Sequence, residues 1–309
     1  MTARVLALSA SLLLGCNAVL GFGDPSLAPD ADLGRPSCET GWRYRIPIEL
    51  QNATTSELHG YQVLLHLDAP AGPDLRIMTD SGDGPLAHLI ETPTSVWVNV
   101  PLIPVGTSRV HAYYGNPTAG PWITDTTFEH NIITNPSFED VGGWTLGPSV
   151  GPRGAFNLQH PAWASDGNGS MQVNEEVTGE RASTSWSEVS QPTIFPAGSN
   201  HIIRFDINVV AASNGGINGT NDGAFLLTVG NGINNVWGLS GDRGNITGVR
   251  LGEETSPIGP GSFPLTLRVS VASGAGPGYA LGYLDNLRVR KHVSPEPTVQ
   301  VGKEEPCSP

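Results

Sequence analysis

The sequence contains few charged residues, few of them basic, and no basic cluster. Asp, Glu, Lys and Arg make up 15% of the 309 residues, and 29 acidic against 16 basic side chains give a net charge of −13. Nucleic-acid-binding proteins carry a basic stripe or patch, so a nucleic-acid partner is excluded. After the first 15 residues, no apolar run approaches the ~18 residues of a membrane-spanning helix. We therefore expect no transmembrane helix in the mature chain.

The sequence also lacks the residue patterns of common hydrolases and metalloenzymes. The eight His residues show no His-Glu-x-x-His spacing, and no Gly-x-Ser-x-Gly is present. Glycoside hydrolysis needs two carboxylates that face each other across the bond, and no motif identifies such a pair among the 29 acidic residues. We predict no enzymatic activity and no catalytic residues.

Glycine and proline are abundant, with 39 and 26 residues, and no long amphipathic helical pattern is present. Polar and apolar residues instead alternate in eight segments: 44–50, 61–67, 95–102, 108–114, 201–210, 224–229, 264–272 and 279–290. A period of two is typical of strands with one buried face. The sequence therefore predicts an all-β fold made of two antiparallel β-sandwich domains.

The N-terminus has the order of charged, apolar and small residues that a secretory signal has. Arg4 precedes the apolar run 5–14, and Leu-Leu-Gly-Cys ends at Cys16. This tetrapeptide resembles the lipobox of bacterial lipoproteins, which implies cleavage after residue 15 and a lipid anchor on Cys16. An ordinary secretory signal with an incidental cysteine is the alternative. Asn17 stands where an Asp would retain some lipoproteins at the inner membrane, so an outer-membrane location in the cell envelope is expected.

Changes in composition divide the chain into five parts. They are a signal peptide, a lipidated tether, a first β-sandwich, a second β-sandwich, and a C-terminal strand and tail: 1–15, 16–37, 38–125, 126–292 and 293–309. The tether mixes Pro, Gly, Asp and Ala without periodicity, which is typical of a flexible linker. We expect the C-terminal strand to return to the first domain.

Cysteine usage agrees with an exported protein. If Cys16 is lipidated, Cys38 and Cys307 remain, one before the first predicted strand and one after the last. A disulfide between them would close a long loop, worth about 4–5 kcal/mol in the chain-entropy model. Two unpaired buried thiols are the alternative.

Residues 41–120 resemble the bacterial domain-of-unknown-function family 2341. The motifs that carry the resemblance fall in order at 41–48, 72–77, 87–91, 96–101 and 113–117, and the segment 298–305 resembles how such chains end. Members are typically exported β-domains beside lectin-like or sugar-binding modules. The resemblance implies no activity.

Residues 131–291 resemble the galactose-binding-like jelly roll, especially carbohydrate-binding modules of families 4 and 9. The resemblance rests on Asn-Pro-Ser-Phe-Glu at 135–139 with Gly143 and Trp144, and on the closing segment 283–289. It implies two antiparallel sheets packed face to face, and a structural Ca²⁺ with Glu139 and Asp285 as carboxylate ligands. The alternative is that both acids cap turns.

Three tryptophans of the second domain are candidates for ligand binding. A sugar needs a flat aromatic face together with polar groups for its hydroxyls, and Trp163, Trp186 and Trp237 lie in suitable segments. The alternative for each is packing in a sandwich core. We predict a monomeric, non-enzymatic envelope lipoprotein that binds carbohydrate or a surface polymer through its second sandwich. A structural or adhesion protein that binds protein partners is the main alternative, and an envelope glycoside hydrolase is a third.

Overall fold

The computed structural model describes most of the chain after the predicted tether. The described residues are 38, 41–69, 71–81, 84–122, 127–128, 132–150, 153–177, 183–212, 222–230, 234–240, 246–273 and 278–307. The predicted signal peptide, lipidated Cys16 and tether 16–37 lie outside them. All regular secondary structure in the described residues is β, which confirms the predicted fold class, and none of them forms a helix that is long and apolar enough to cross a membrane.

Met1–Glu39, of which only Cys38 is described, and Thr40–Pro309 are two separate compact units. Cys38 and Cys307 are both disulfide-bonded. This confirms the disulfide that was predicted for them.

The first β-sandwich is built from two sheets. Its strands are β1 (Tyr44–Asn52), β2 (Leu58–His66), β3 (Arg76–Thr79), β4 (His88–Thr92), β5 (Ser95–Ile103), β6 (Gly106–Tyr114), β17 (Thr298–Val301) and β18 (Glu305–Pro306). One sheet has the order β17-β1-β6-β3, with β18 also on β1, and the other has the order β2-β5-β4. Alternate residues such as Ile46, Ile48 and Leu50 of β1 are buried between the sheets, as the period of two requires.

The C-terminal strand β17 lies beside the first strand of the domain. It pairs antiparallel with β1, so that Val299 lies opposite Leu50 and Val301 opposite Ile48. Val299 and Val301 pack against the core of the first domain. The chain therefore leaves this sandwich after β6, builds the second domain, and returns to complete the first.

The second β-sandwich has ten strands in two five-stranded sheets. They are β7 (Thr145–Val150), β8 (Arg153–Asn157), β9 (Met171–Val177), β10 (Ser183–Phe195), β11 (Asn200–Ala212), β12 (Asp222–Val229), β13 (Asn234–Ser240), β14 (Gly248–Glu254), β15 (Gly261–Ser273) and β16 (Gly278–His292). The sheets have the orders β13-β12-β15-β10-β7 and β14-β11-β16-β9-β8, and all strand pairs are antiparallel. A core of mostly aliphatic side chains lies between them.

The opening motif of the second domain is part of its core. Phe138 is fully buried and adopts a positive φ of 52°, and its ring packs 5.5 Å from that of Trp144. The N–H of Leu287 donates a hydrogen bond to the carbonyl of Pro136 at 2.9 Å, so the closing strand β16 holds the opening motif directly. The two motifs that define the resemblance are thus neighbours in space.

Candidate functional site

The loop between β8 and β9 is fixed at one end by Glu139. Oε1 of Glu139 accepts hydrogen bonds from the N–H groups of Asn168 at 2.8 Å and Gly169 at 2.9 Å. Gly167 adopts a φ of +69°, and a Cβ there would collide with the Glu139 carboxylate. Glycine is therefore required for the loop backbone to approach this carboxylate so closely.

Asp285 of β16 holds the other end of the same loop. Its Oδ2 accepts the N–H groups of Ser165 at 2.7 Å and Asp166 at 2.9 Å, and its Oδ1 accepts the N–H of Asn286 at 2.7 Å. The Asp285 side chain is fully buried. Burial raises its pKa to about 6, although the backbone N–H groups favour the ionised form.

These contacts bear on the predicted calcium site. Backbone N–H groups already occupy several of the carboxylate lone pairs of Glu139 and Asp285 that a Ca²⁺ ion would need. Among the described residues, no group of three or more His, Cys, Asp or Glu side chains is arranged to hold a metal ion. The donor set therefore fits loop anchoring better than metal coordination, and Ca²⁺ ligation by the pair stays a prediction.

The anchored loop places Trp163 over an aromatic cluster on the outer face of the second sheet. The ring of Trp163 lies 6.4 Å from that of Tyr283 on β16, and the His160 ring lies 5.4 Å from the same Tyr283 ring. Tyr283 is buried beneath them, whereas Trp163 and His160 are half-buried. We call Trp163, His160 and Tyr283 the aromatic platform.

Two amide side chains flank the platform within the sheet. Gln172 of β9 lies opposite Tyr283 on one side, and Asn208 of β11 lies opposite it on the other. Directly opposed residues of antiparallel strands have Cβ atoms about 4.5–5.5 Å apart, so both amides are beside the ring. Nε2 of Gln172 donates a hydrogen bond of 3.2 Å to the Tyr283 hydroxyl. Asn174, two residues along β9, is exposed.

Trp186 lies on the opposite side of the domain, on the outer face of the first sheet. The guanidinium of Arg268 on β15 stacks on its ring, 4.6 Å from the centroid, and Arg268 also forms an ion pair with Glu188. Trp186 is half-buried. One face of the indole is therefore already covered by a side chain of the protein.

Trp237 has a different environment. Its ring meets that of Phe205 edge-on, with centroids 5.0 Å apart, and packs against the core of the sandwich. Its Nε1–H donates a hydrogen bond to Oε2 of Glu253 at 3.0 Å. These contacts give Trp237 a packing role, and ligand binding by it stays a prediction.

The sequence did not identify the neighbours of Trp163. Tyr283 belongs to the closing motif, but nothing in the sequence indicates that its ring supports Trp163. His160, Gln172 and Asn208 belong to three separate segments whose proximity depends on strand register. The spatial arrangement brings Glu139, Asp285 and Trp163 together around one loop, while Trp186 and Trp237 lie elsewhere.

Comparison with known proteins gives a distant likeness of fold. TmCBM61 in complex with β-1,4-galactotriose is 18% identical over 53% of this chain and 100% of its own, with a TM-score of 0.33. A carbohydrate-binding module of the β-sandwich superfamily with promiscuous specificity is 11% identical over 77% of this chain and 99% of its own, with a TM-score of 0.39. The mannan-recognising module TmCBM27 is 15% identical over 51% of this chain and 95% of its own, with a TM-score of 0.32.

No protein-family model and no curated protein sequence matches this chain. The resemblance of residues 41–120 to the domain-of-unknown-function family 2341 therefore stays a prediction. All three TM-scores are below 0.5, so the ligands of these proteins do not indicate the ligand of this chain.

The side chains of the platform are suited to non-covalent contacts with a ligand. It combines aromatic rings with amide donors and acceptors on a sheet face, and its loop is held in place by the buried carboxylate of Asp285 and the exposed carboxylate of Glu139. Groups of this kind stack on apolar faces and pair with hydroxyls or amides of a ligand.

Proposed function

We propose that the protein is a non-enzymatic carbohydrate-binding protein whose second sandwich binds a glycan at the aromatic platform. The observation that carries the proposal is the placement of Trp163 and His160 over Tyr283, between the amides of Gln172 and Asn208. An amphipathic pyranose ring has apolar C–H faces and polar edges. The platform places aromatic rings, which complement the apolar faces, beside amide groups, which complement the polar edges.

The anchoring of the loop supports this assignment. A flexible loop loses conformational freedom when it binds, which lowers affinity, whereas a loop that is already ordered avoids most of that loss. Asp285 and Glu139 together receive four backbone N–H groups between residues 165 and 169. Trp163 is therefore held near its binding position before the ligand arrives.

The cellular setting belongs to the same proposal. The disulfide of Cys38 and Cys307 supports an exported protein, because disulfides persist in oxidising compartments. We place the protein in a bacterial cell envelope, attached by lipid on Cys16, with its second domain free to contact polysaccharide. The outer membrane and a monomeric state are part of this proposal.

Binding to immobilised polymers tests the function. The panel contains β-1,4-galactan, mannan and purified peptidoglycan, and retention of the wild type on at least one polymer is expected. Trp163→Ala should lower the affinity at least tenfold, because it removes the half-buried indole ring of the platform. Trp186→Ala serves as the matched control on the opposite sheet and should bind as the wild type does.

Both variants are compared with the wild type by circular dichroism and thermal unfolding. Equal retention of the wild type and a folded Trp163→Ala variant would contradict the assignment of the site. If none of the polymers retains the wild type, the structural or adhesion alternative is favoured. Release of reducing sugar would instead favour the hydrolase.

A further inference from the structure

A cleft of about 570 Å³ lies where the two sandwiches meet. Leu64 of β2 and Trp97 of β5 contribute to it from the first domain, and Arg204, Glu254 and Arg290 contribute from the second. Ligand-binding clefts commonly measure about 300–1,000 Å³ and are found preferentially between domains. The size and the position of this cleft are therefore those of a binding site.

An alternating row of charges runs along the cleft. Arg204 lies 2.8 Å from Glu91 and 3.5 Å from Glu254, while Arg290 lies 3.0 Å from Glu254 and 2.8 Å from Glu296. Each guanidinium is held between two carboxylates. Both guanidiniums are already paired, and three carboxylates against two guanidiniums leave an excess of negative charge, so an anionic ligand is disfavoured. A ligand with many hydroxyls can donate to the remaining carboxylate lone pairs.

Trp97 forms the floor of the cleft. The guanidinium groups of Arg204 and Arg290 lie 5.4 and 5.7 Å from its ring centroid. Gly252 allows Arg204 to lie there: its φ is +67°, and a Cβ at this position would collide with the guanidinium. The polar wall is thus fixed by packing as well as by ion pairs.

The cleft and the aromatic platform are on the same face of the same sheet. Asn208 lies beside the platform and Arg204 lies in the cleft, four residues away along β11. At 3.3 Å per residue, the separation along the strand is roughly 13 Å. Arg288 of β16 lies opposite Arg204 and contacts Asp166 of the β8–β9 loop at 3.3 Å.

We infer that the cleft is a second subsite for the glycan that binds at the platform, so that one polysaccharide chain is recognised by both domains. The inference rests on the proposed function of the platform. It gives the first domain a part in recognition, and it identifies the ligand as a chain of several sugar units without anionic groups. A single disaccharide is too short to occupy both places.

Titration calorimetry of the full chain with oligosaccharides of two, four and six units tests this inference. The oligosaccharides are galacto-oligosaccharides or manno-oligosaccharides, according to which polymer is retained, and retention of peptidoglycan alone would contradict a ligand without anionic groups. The wild type should bind the six-unit ligand at least tenfold more tightly than the two-unit ligand. Leu64→Trp, which fills the cleft, should abolish this gain and leave disaccharide affinity unchanged.

Leu146→Trp is the matched control, because Leu146 is an exposed leucine on the opposite sheet of the second domain. It should retain the full dependence on chain length. Leu64→Phe fills less of the cleft and should lose part of the gain, which provides a second test if Leu64→Trp unfolds at a lower temperature.

The two proposals fail in different ways. Disaccharide binding without any gain in the wild type from longer chains, or a full gain in a folded Leu64→Trp variant, would overturn the second subsite alone. Absence of binding by every ligand, including the disaccharides, would overturn the platform and the second subsite together.

Discussion

Glu139 and Asp285 hold one loop from its two ends: Asp285 accepts the N–H groups of residues 165 and 166, and Glu139 accepts those of residues 168 and 169. The two acids come from the opening and closing motifs of the second domain. They are therefore structural residues for the Trp163 loop, whether or not a metal ion is also bound.

Removal of the Asp285 carboxylate should destabilise the second domain. Asp285→Ala leaves three backbone N–H groups without their acceptor, and the expected loss in the free energy of unfolding is about 3 kcal/mol. Urea unfolding measures it. Glu57→Ala, which removes an exposed acid of the first domain, should change stability by less than about 0.5 kcal/mol. An Asp285→Ala variant as stable as the wild type would show that the loop does not depend on this carboxylate.

The calcium prediction is tested by thermal unfolding in EDTA and in excess Ca²⁺. If Glu139 and Asp285 ligate the ion, saturating Ca²⁺ should stabilise the fold by about 2–3 kcal/mol, or several degrees in Tm. Mg²⁺ is the control ion, and Glu139→Gln should remove the effect. An identical Tm in EDTA and in Ca²⁺ would show that Glu139 and Asp285 anchor the loop without binding Ca²⁺.

Trp237→Ala should affect stability rather than binding. The ring packs on Phe205 and on the core, so we expect a loss of about 2–4 kcal/mol. Trp237→Phe keeps an aromatic ring and loses the hydrogen bond to Glu253, with an expected effect of about 1 kcal/mol. Urea unfolding and polysaccharide retention are measured together. Tenfold weaker binding by a Trp237→Phe variant of normal stability would place Trp237 in the binding site.

Mild acid should destabilise the first domain through His88. Burial lowers the pKa of His88 below its ordinary value of 6.5, so the unfolded chain binds the proton more readily than the folded one. The contribution of neutral His88 to stability is therefore complete above pH 6.5 and declines as the pH falls below it.

His88→Asn should flatten the decline in stability between pH 6.5 and pH 5, measured by urea unfolding at each pH. His59→Asn is the control, because the His59 side chain is largely exposed. An unchanged pH profile in His88→Asn would assign the acid sensitivity to other groups, such as buried His111, whose pKa is also lowered by burial.

Strand positions were predictable because the period of two is a local property. Alternation over 44–50 predicts a strand, and the structure has β1 at Tyr44–Asn52; alternation over 279–290 lies within β16 at Gly278–His292. The all-β class follows from many such segments and from the lack of amphipathic helices. The disulfide was predictable from cysteine number and position.

The platform was not predictable in the same way. Gln172 and Asn208 flank Tyr283 only through the registers of three strands, and a shift of one residue would turn each side chain to the opposite face. Trp237 illustrates the same dependence, because the β12–β13 pairing shifts register between Leu227 and Thr228, next to the tryptophan. The sequence identified three tryptophans as candidates for ligand binding, but it did not show that their structural environments differ.

The amino-acid sequence by itself determined that this chain is all-β, with a bonded pair of cysteines and few charges, because each of these follows from local periodicity or from composition. Only the tertiary structure decided which side chains surround Trp163, which N–H groups donate to the Glu139 and Asp285 carboxylates, and that a cleft lies where the two sandwiches meet. Those relationships join residues far apart in the chain, and their geometry is set by strand register and domain packing.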